Sequence, residues 1–487
     1  MKGFFGILNL NKDNFQKATA NYLQNTSRSN LIIPLTTDDI VLISFNSSVA
    51  NDPVLENLHY VGWCRLDNIT ELQSLLNLKS TAIESEVILA AFKKWGEACA
   101  EYFIGDFSFA IWDSEQKTLF LAKDQMGIRP LFYIEQNGLF YFGTTIPEIK
   151  IALLEKPQLN EIYIAKELRN FPQDIEDTFF KDIKRLKPAH YIFLKIEGRL
   201  EEKRYWELTP VDLSECKSEE DYLVLLRATF REAVLCRIRD KKNVGCQLSG
   251  GMDSSAIAIL LSREMNKQQL HTYSFVLDKK TTTYSDNGID EQATQEEIIK
   301  YADLRRENHH PVTSFYYHDV FEEFEKKNAV MGGAANSDCI WQDSLYKIAA
   351  INQTEVIFSG FPGDEGISQT GSNYFYDFLK DYDVRGLFDY LISFRRAALK
   401  QIIQYYRAKK VNTTVLKYNQ LQEKRNLLNK KSKYYNELKD SSFLFNPSFK
   451  GWQKQQICRS HTSLRSESEG AYANQYDIET VYPLADI

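Results

Sequence analysis

The 487-residue sequence carries 59 Lys and Arg against 66 Asp and Glu, a net charge of −7. At about 150 residues per domain there is room for two or three domains, and the acidic balance argues against a general nucleic-acid binder. A composition of 43% apolar and 26% charged residues, with only 12 Pro and 22 Gly, excludes collagen-like and disordered chains.

In chain order, the apolar start Met1 to Leu8 runs straight into Asn9, Asn11 and Asp13 with no small-residue cleavage site. It reads as a first β-strand, not a secretion signal. Residues 41–45, 119–122, 139–143 and 191–195 read as further strands, and 85–95 and 159–170 as helices. Many strands with few helices predict a mostly antiparallel sheet domain over residues 1–208. A boundary is expected near Thr209-Pro210. Residues 209–487 have a different pattern. Helices at 219–239, 256–266, 289–302 and 341–352 alternate with strands at 243–248, 271–277 and 355–359, which predicts a parallel sheet with right-handed crossovers. No run approaches the roughly 20 apolar residues of a membrane span. The seven cysteines, Cys64, Cys99, Cys216, Cys236, Cys246, Cys339 and Cys458, are widely spaced with no CxxC. That pattern suits reduced thiols and a cytoplasmic location. Residues 395–433 are rich in Lys and Arg, and read as a solvated insertion or a patch for an acidic partner. His309, His310 and His318 lack the spacing of a metal site. Asp290-Glu291 reads as capping charge at a helix start, with a place beside a nucleotide as the alternative.

The most specific string is Ser249-Gly250-Gly251-Met252-Asp253-Ser254-Ser255, between a predicted strand and a predicted helix. Two glycines let backbone N–H groups close on an anion, and the following helix presents its positive end to it. The Ser249, Ser254 and Ser255 hydroxyls can donate to phosphate oxygens, and Asp253 suits Mg²⁺. No Gly-Lys-Ser/Thr follows, so this is not a Walker A loop. It resembles the pyrophosphate loop of enzymes that cleave ATP between the α and β phosphates. A second Gly-rich turn with a carboxylate, Ser359-Gly360-Phe361-Pro362-Gly363-Asp364-Glu365, follows another predicted strand. Asp253 and Asp364 could share magnesium bridging the ATP phosphates.

Together the two motifs resemble the asparagine synthetase family, and the likeness extends over nearly the whole chain. Gly105-Asp106-Phe107-Ser108-Phe109-Ala110-Ile111-Trp112-Asp113, Lys123-Asp124-Gln125-Met126-Gly127-Ile128-Arg129-Pro130, Arg65-Leu66-Asp67-Asn68 and Tyr205-Trp206 resemble its glutaminase domain. The resemblance implies an αββα sandwich of the N-terminal-nucleophile type, then a parallel-sheet ATP pyrophosphatase domain. It also implies that Gln247, Leu248, Val276 and Leu277 flank the adenine and that Ser359 and Gly360 line the same pocket.

Three departures shape the expected function. Lys2 stands where the family's nucleophilic cysteine belongs, so the first domain is expected not to hydrolyse glutamine. Phe361 replaces a residue that is titratable in relatives, which leaves Glu365, Asp381, Asp383 and Asp389 as candidate bases. Glu479-Thr480-Val481-Tyr482-Pro483-Leu484-Ala485-Asp486 resembles a family segment after which further helices and a lysine are expected, yet the sequence stops at Ile487; the second domain therefore reads as truncated. The expected reaction is ATP-dependent amide formation through an acyl-adenylate, resembling β-lactam synthetases and, more closely, lasso-peptide cyclases. The expected partners are a precursor peptide and a protease, with no nucleic acid and no membrane. The alternatives are an asparagine synthetase using free ammonia and a non-catalytic binder of ATP or peptide.

Overall fold

A strand buried on both faces reads as an unbroken apolar run, because neither side of its pleat meets water. The opening strand Phe4–Asn9 is of this kind in the computed structural model. The model describes residues 2–10, 14–28, 31–45, 54–169, 173–196, 198–209, 211–239, 241–277, 291–313, 320–333, 339–368, 377–379, 381–392, 434 and 460–485. Phe4 and Leu8 face a second sheet, packing with Val61, Ala110, Trp112 and Leu121. Phe5 and Ile7 face outward onto the helix Phe15–Asn25 through Phe15, Ala18 and Tyr22.

Among the described residues each of these two sheets has six strands and is antiparallel throughout. The first runs in the spatial order Lys184–Arg185, Phe132–Gln136, Leu139–Gly143, Phe4–Asn9, Ile40–Ser44, Ile32–Thr36. The second runs Glu201–Arg204, His190–Lys195, Thr118–Lys123, Gly105–Asp113, Leu58–Leu66, Val54–Leu55. Its outer face is covered by the helix Glu84–Trp95 through Val87, Ile88 and Ala91. The layers are helix, sheet, sheet, helix, the αββα sandwich expected.

The remaining sheet is parallel, in the order His309–Val312, Leu270–Phe275, Val244–Gln247, Val356–Phe358, Glu479–Val481. Successive strands are laid down outward from Val244–Gln247, first to one side and then to the other. The order therefore reverses between Val244–Gln247 and Val356–Phe358, where the adjacent loops diverge and leave a crevice. The helix after the first of these strands begins at Met252, earlier than the expected 256, because the loop itself supplies its first turn. The fifth strand, and the helix Ser460–Asn474 before it, were not expected. Among the described residues no helix is long and apolar enough to cross a membrane. The basic stretch 395–433 lies outside the described residues.

The sandwich and the parallel sheet meet through buried charge. Arg65 pairs with Asp67 at 2.6 Å and Asp106 at 2.5 Å, and approaches Glu479 of the parallel sheet at 3.6 Å. Arg129, its guanidinium 4.4 Å from the Trp63 ring centroid, pairs with Glu479. Arg237 reaches back to Asp67 at 3.2 Å. A second bridge joins Arg185 to Glu467 at 2.7 Å, and Asn474 bonds both the N–H and the carbonyl of Lys2. Burial works against the Glu479 carboxylate, but Arg129 foremost, with Lys2, Arg65 and Lys241, holds it down at about 2.

A depressed carboxylate stabilises the fold above its unfolded value of 4.5, and that contribution fades as pH falls towards about 2. Glu479→Gln is therefore expected to cost about 3–5 kcal/mol at pH 7. The difference from wild type should shrink below pH 4.5 in denaturant titrations of the full chain. A difference that does not change with pH would contradict this role for Glu479.

Candidate functional site

The strand Val244–Gln247 delivers Leu248 and Ser249 to the crevice, and the backbone then turns at Gly250 with φ +90°. A side chain is strained at that angle, and a Cβ there would stand 3.2 Å from Thr294. Gly251 is the N-cap of the helix Met252–Glu264 and has no side-chain cap, so the helix offers its first N–H groups to the crevice. The loop is braced from within. Ser249 Oγ lies 3.0 Å from Ser254 Oγ and accepts the Gly251 N–H at 3.2 Å. Gln295 Nε2 donates to the Ser249 carbonyl at 3.3 Å. The buried Ser255 hydroxyl has no hydrogen-bond partner among the described residues.

The second turn leaves the strand Val356–Phe358 beside it. Ser359 Oγ donates to Gln247 Oε1 at 2.9 Å, tying the two strand ends together. Glycine lets the turns touch. A Cβ at Gly360 would stand 2.9 Å from the Ser254 nitrogen, and one at Gly363 would collide with the Asp253 carboxylate. Ser368 Oγ bridges the carboxylates, 3.0 Å from Asp253 and 3.3 Å from Asp364. Burial pushes the Asp253 carboxyl up; Ser368 opposes this and Asp364 adds to it. Two carboxylates sharing one hydroxyl beside an anion-binding loop form a hard oxygen donor set. This set could hold Mg²⁺, which takes one or two carboxylates and completes its shell with phosphate and water. Among the described residues no larger acid, His or Cys cluster competes for a metal. His309 and His310 lie on an edge strand, where burial, then His271 and His309, lowers His310 to about 4.

The turns enclose a cavity of ≈ 580 Å³. Of the residues singled out from sequence, Gln247, Leu248, Ser249, Gly251, Asp253, Ser254, Ser359, Gly360, Asp364 and Glu365 line it. Gly250 and the buried Ser255 are not among the lining residues, and Val276 and Leu277 lie just past the neighbouring strand without reaching the lining. Of the four candidate bases, Glu365 alone is at the cavity. Asp381, Asp383 and Asp389 are exposed and do not line it. Asp383 instead accepts the Gly386 N–H at 2.8 Å, in the manner of a helix cap. The lining also includes Glu291, Gln295, Tyr273, Phe275, Ser368 and Arg465. Glu291 is at the start of the helix Gln292–Tyr301, so the site reading of that carboxylate has a geometric basis. Asp290 is outside the described residues.

Phe361 faces two ways. It lines the cavity, and it packs with Met126 and Ile128 of the sandwich and with Tyr482 and Ala485. Elsewhere in the sandwich the thiols are passive. Burial, opposed foremost by a hydrogen bond from Tyr60, pushes Cys64 up to about 12.

A parallel sheet carrying paired glycine turns and two carboxylates at its reversal point stands behind an antiparallel αββα sandwich. The asparagine synthase family model matches residues 225–476, and a glutamine amidotransferase domain model matches residues 67–206. The chain belongs to the asparagine synthase family. It is 34% identical over 200 residues to glutamine-hydrolyzing asparagine synthetase 3 of Bacillus subtilis (strain 168), covering 39% of this chain and 31% of that protein. It is 32% identical over 219 residues to amidase chyE of Penicillium rubens, covering 43% and 32%. The chain thus spans about a third of the length of these curated relatives. A glutamine phosphoribosylpyrophosphate amidotransferase structure from B. subtilis overlaps it with a TM-score of 0.31 at 12% identity, covering 61% of this chain and 70% of that one.

Gly363→Ala is expected to displace Asp253 and weaken binding of magnesium-ATP by about tenfold or more, read by isothermal titration. Asp383→Asn should leave that affinity unchanged.

Proposed function

We propose that the protein forms an amide bond at the expense of ATP, through an acyl-adenylate. The observation that carries this reading is the contact of the two glycine turns at the reversal of the parallel sheet, with Asp253 and Asp364 bridged by Ser368. A substrate carboxylate oxygen attacks the α-phosphorus of ATP. The bond to the β-phosphate oxygen breaks, and pyrophosphate remains on the Ser249–Ser255 loop and the helix N-terminus. Mg²⁺ held by Asp253 and Asp364 would offset the phosphate charge. An amine then attacks the acyl carbon, AMP leaves with the bonding pair, and the amine proton passes to a base, for which Glu365 is the candidate at the cavity. Rate enhancement comes from holding the reactants together and from charge complementarity.

The finer reading is closure of a lactam within a precursor peptide, with an Asp or Glu side chain as acyl donor and a partner protease preparing the peptide. Its support is Phe361, whose apolar ring can neither deprotonate an incoming amine nor bind ammonium through charge. Glutamine is not the nitrogen source in this reading. Burial keeps the Cys64, Cys99 and Cys246 thiols protonated, and none of them offers a ready nucleophile.

Carboxylate-dependent exchange of labelled pyrophosphate into ATP tests the ligase reading, and Asp253→Asn should reduce exchange by about 100-fold. No exchange with aspartate, glutamate or Glu-containing peptides would overturn it. Glutamate release from glutamine at a rate matching AMP release would overturn the nitrogen-source reading.

A further inference from the structure

A second cavity, of ≈ 230 Å³, lies on the seam between the halves. Trp63, Pro130 and Thr144 of the sandwich line it, together with Val330, Ala471 and Asn474. The helix Ser460–Asn474 reaches both cavities. Its Arg465, the guanidinium carbon 4.3 Å from the Phe361 ring centroid, is at the crevice, and its Ala471 and Asn474 are at the seam. No described residue lines both cavities. One short loop of the sandwich stands between them. Its Met126 and Ile128 back the Phe361 ring at the crevice, and its Pro130 lines the seam cavity.

That loop is held from several sides. The buried Asp124 carboxylate accepts the N–H groups of Met126 at 3.1 Å, Ile128 at 2.8 Å and Arg129 at 2.9 Å. Gly127 turns with φ +71°, and its carbonyl accepts the Ser463 hydroxyl at 3.0 Å. A Cβ at Gly127 would stand 2.6 Å from Pro188. Arg129 is tied across the seam to Glu479. On the other side, Phe361 meets Tyr482 nearly edge-on, with ring centroids 6.1 Å apart. Met126, Ile128, Phe361, Tyr482 and Ala485 are all buried and form one apolar cluster. A water molecule needs two to four polar partners to settle at such a place, and the side chains of Met126, Ile128, Phe361 and Ala485 offer none but a weakly accepting sulfur.

We propose that Met126 and Ile128, acting through Phe361, seal the back of the crevice against water from the seam, so that an activated acyl group reacts with the amine and not with water. This proposal rests on the ligase reading above and assigns the sandwich a part in that reaction. ATP and substrate fill the crevice from its open side, and its back depends on the protein. With the seal breached, a water oxygen attacks the acyl carbon of the adenylate. The bond from that carbon to the phosphate oxygen breaks, AMP leaves with the bonding pair, the carboxylate is regenerated and the protons go to solvent. ATP is then consumed without an amide, the side reaction that a closed site prevents. Met126 and Ile128 touch the ring and not the substrate, so they are positioning residues.

The test uses the full chain with magnesium-ATP. Aspartate, glutamate and a short peptide with an internal glutamate serve as carboxylates, and hydroxylamine serves as a small amine. Labelled-pyrophosphate exchange reports adenylate formation, and the ratio of AMP to hydroxamate reports how the adenylate is used. The wild type should give a ratio near one, within about 1.5-fold. Met126→Ala and Ile128→Ala each leave a cavity behind the ring and should raise the ratio by about threefold or more, with exchange within about threefold of wild type. Met126→Leu conserves volume and should keep the ratio within about 1.5-fold. Ile183→Ala makes a similar truncation in the other core of the sandwich and should leave the ratio unchanged. Where an alanine variant does not fold, Ile128→Val removes one methyl group and should still raise the ratio by about 1.5-fold. A wild type that releases several-fold more AMP than hydroxamate, an unchanged ratio in the Met126 and Ile128 variants, or an equal rise in Ile183→Ala would each overturn the seal while leaving the ligase reading intact. No exchange by the wild type with any of the carboxylates would overturn the ligase reading, and the seal with it.

Discussion

Glu479 stands on the last strand of the parallel sheet, yet its partners Arg129 and Arg65 belong to the sandwich. Taking these charges out of water costs several kcal/mol per ion unless each is paired and hydrogen-bonded. The arrangement meets that condition only when both halves are in place. Asp106 and Asp67 complete the set around Arg65, and Arg237 closes it from the second half. Separating the halves would strip these charges of their partners across the seam and return them to water. This seam therefore fixes the mutual orientation of the two domains more strictly than an apolar contact of the same area, which tolerates sliding. The support that Met126 and Ile128 give to Phe361 at the cavity depends on it.

The parallel sheet provides the second constraint. Two neighbouring strands end side by side where the strand order reverses, so their loops diverge above a crevice. Glycines at positions 360 and 363 then let the two loops touch, which brings Asp253 within reach of the second turn. Neither loop alone assembles this set of groups; their contact does, because one supplies N–H groups and a helix terminus while both supply carboxylate oxygen.

Much of this was legible in the amino-acid order, for definite reasons. The phosphate loop is contiguous, and its glycines and hydroxyls have few uses other than anion binding. The strands Phe4–Asn9, Ile40–Ser44, Thr118–Lys123 and Leu139–Gly143 announce themselves as apolar runs because they are buried on both faces, whereas Ile32–Thr36 and Glu201–Arg204, without a buried residue, do not. The helix Ser460–Asn474 did not, although it too is buried. Its buried face carries Thr462, Ser463, Ser466, Glu467, Ser468 and Glu469, so it shows no apolar period. Its hydroxyls bond back to the helix or across the seam, as Ser466 does to Thr462 and Ser463 to Gly127. The strand Glu479–Val481 was hidden for the same reason: its glutamate looked like surface and is the buried hub. Arg465 had no sequence signal, since its meaning comes from a ring more than a hundred positions away. Asp381, Asp383 and Asp389 follow the second turn in sequence, yet that nearness does not bring them to the crevice lining.

Phe361 is a single side chain with one face in the cavity and the other wedged among Met126, Ile128 and Tyr482. A residue with two such duties ties the histories of the two domains together. A change at Met126 or Ile128 in the sandwich would reach the cavity wall through the ring those side chains support. For protein engineering, a chimera that joins this parallel-sheet half to a sandwich from a relative would inherit a mismatched cavity wall unless those residues were transplanted as a set.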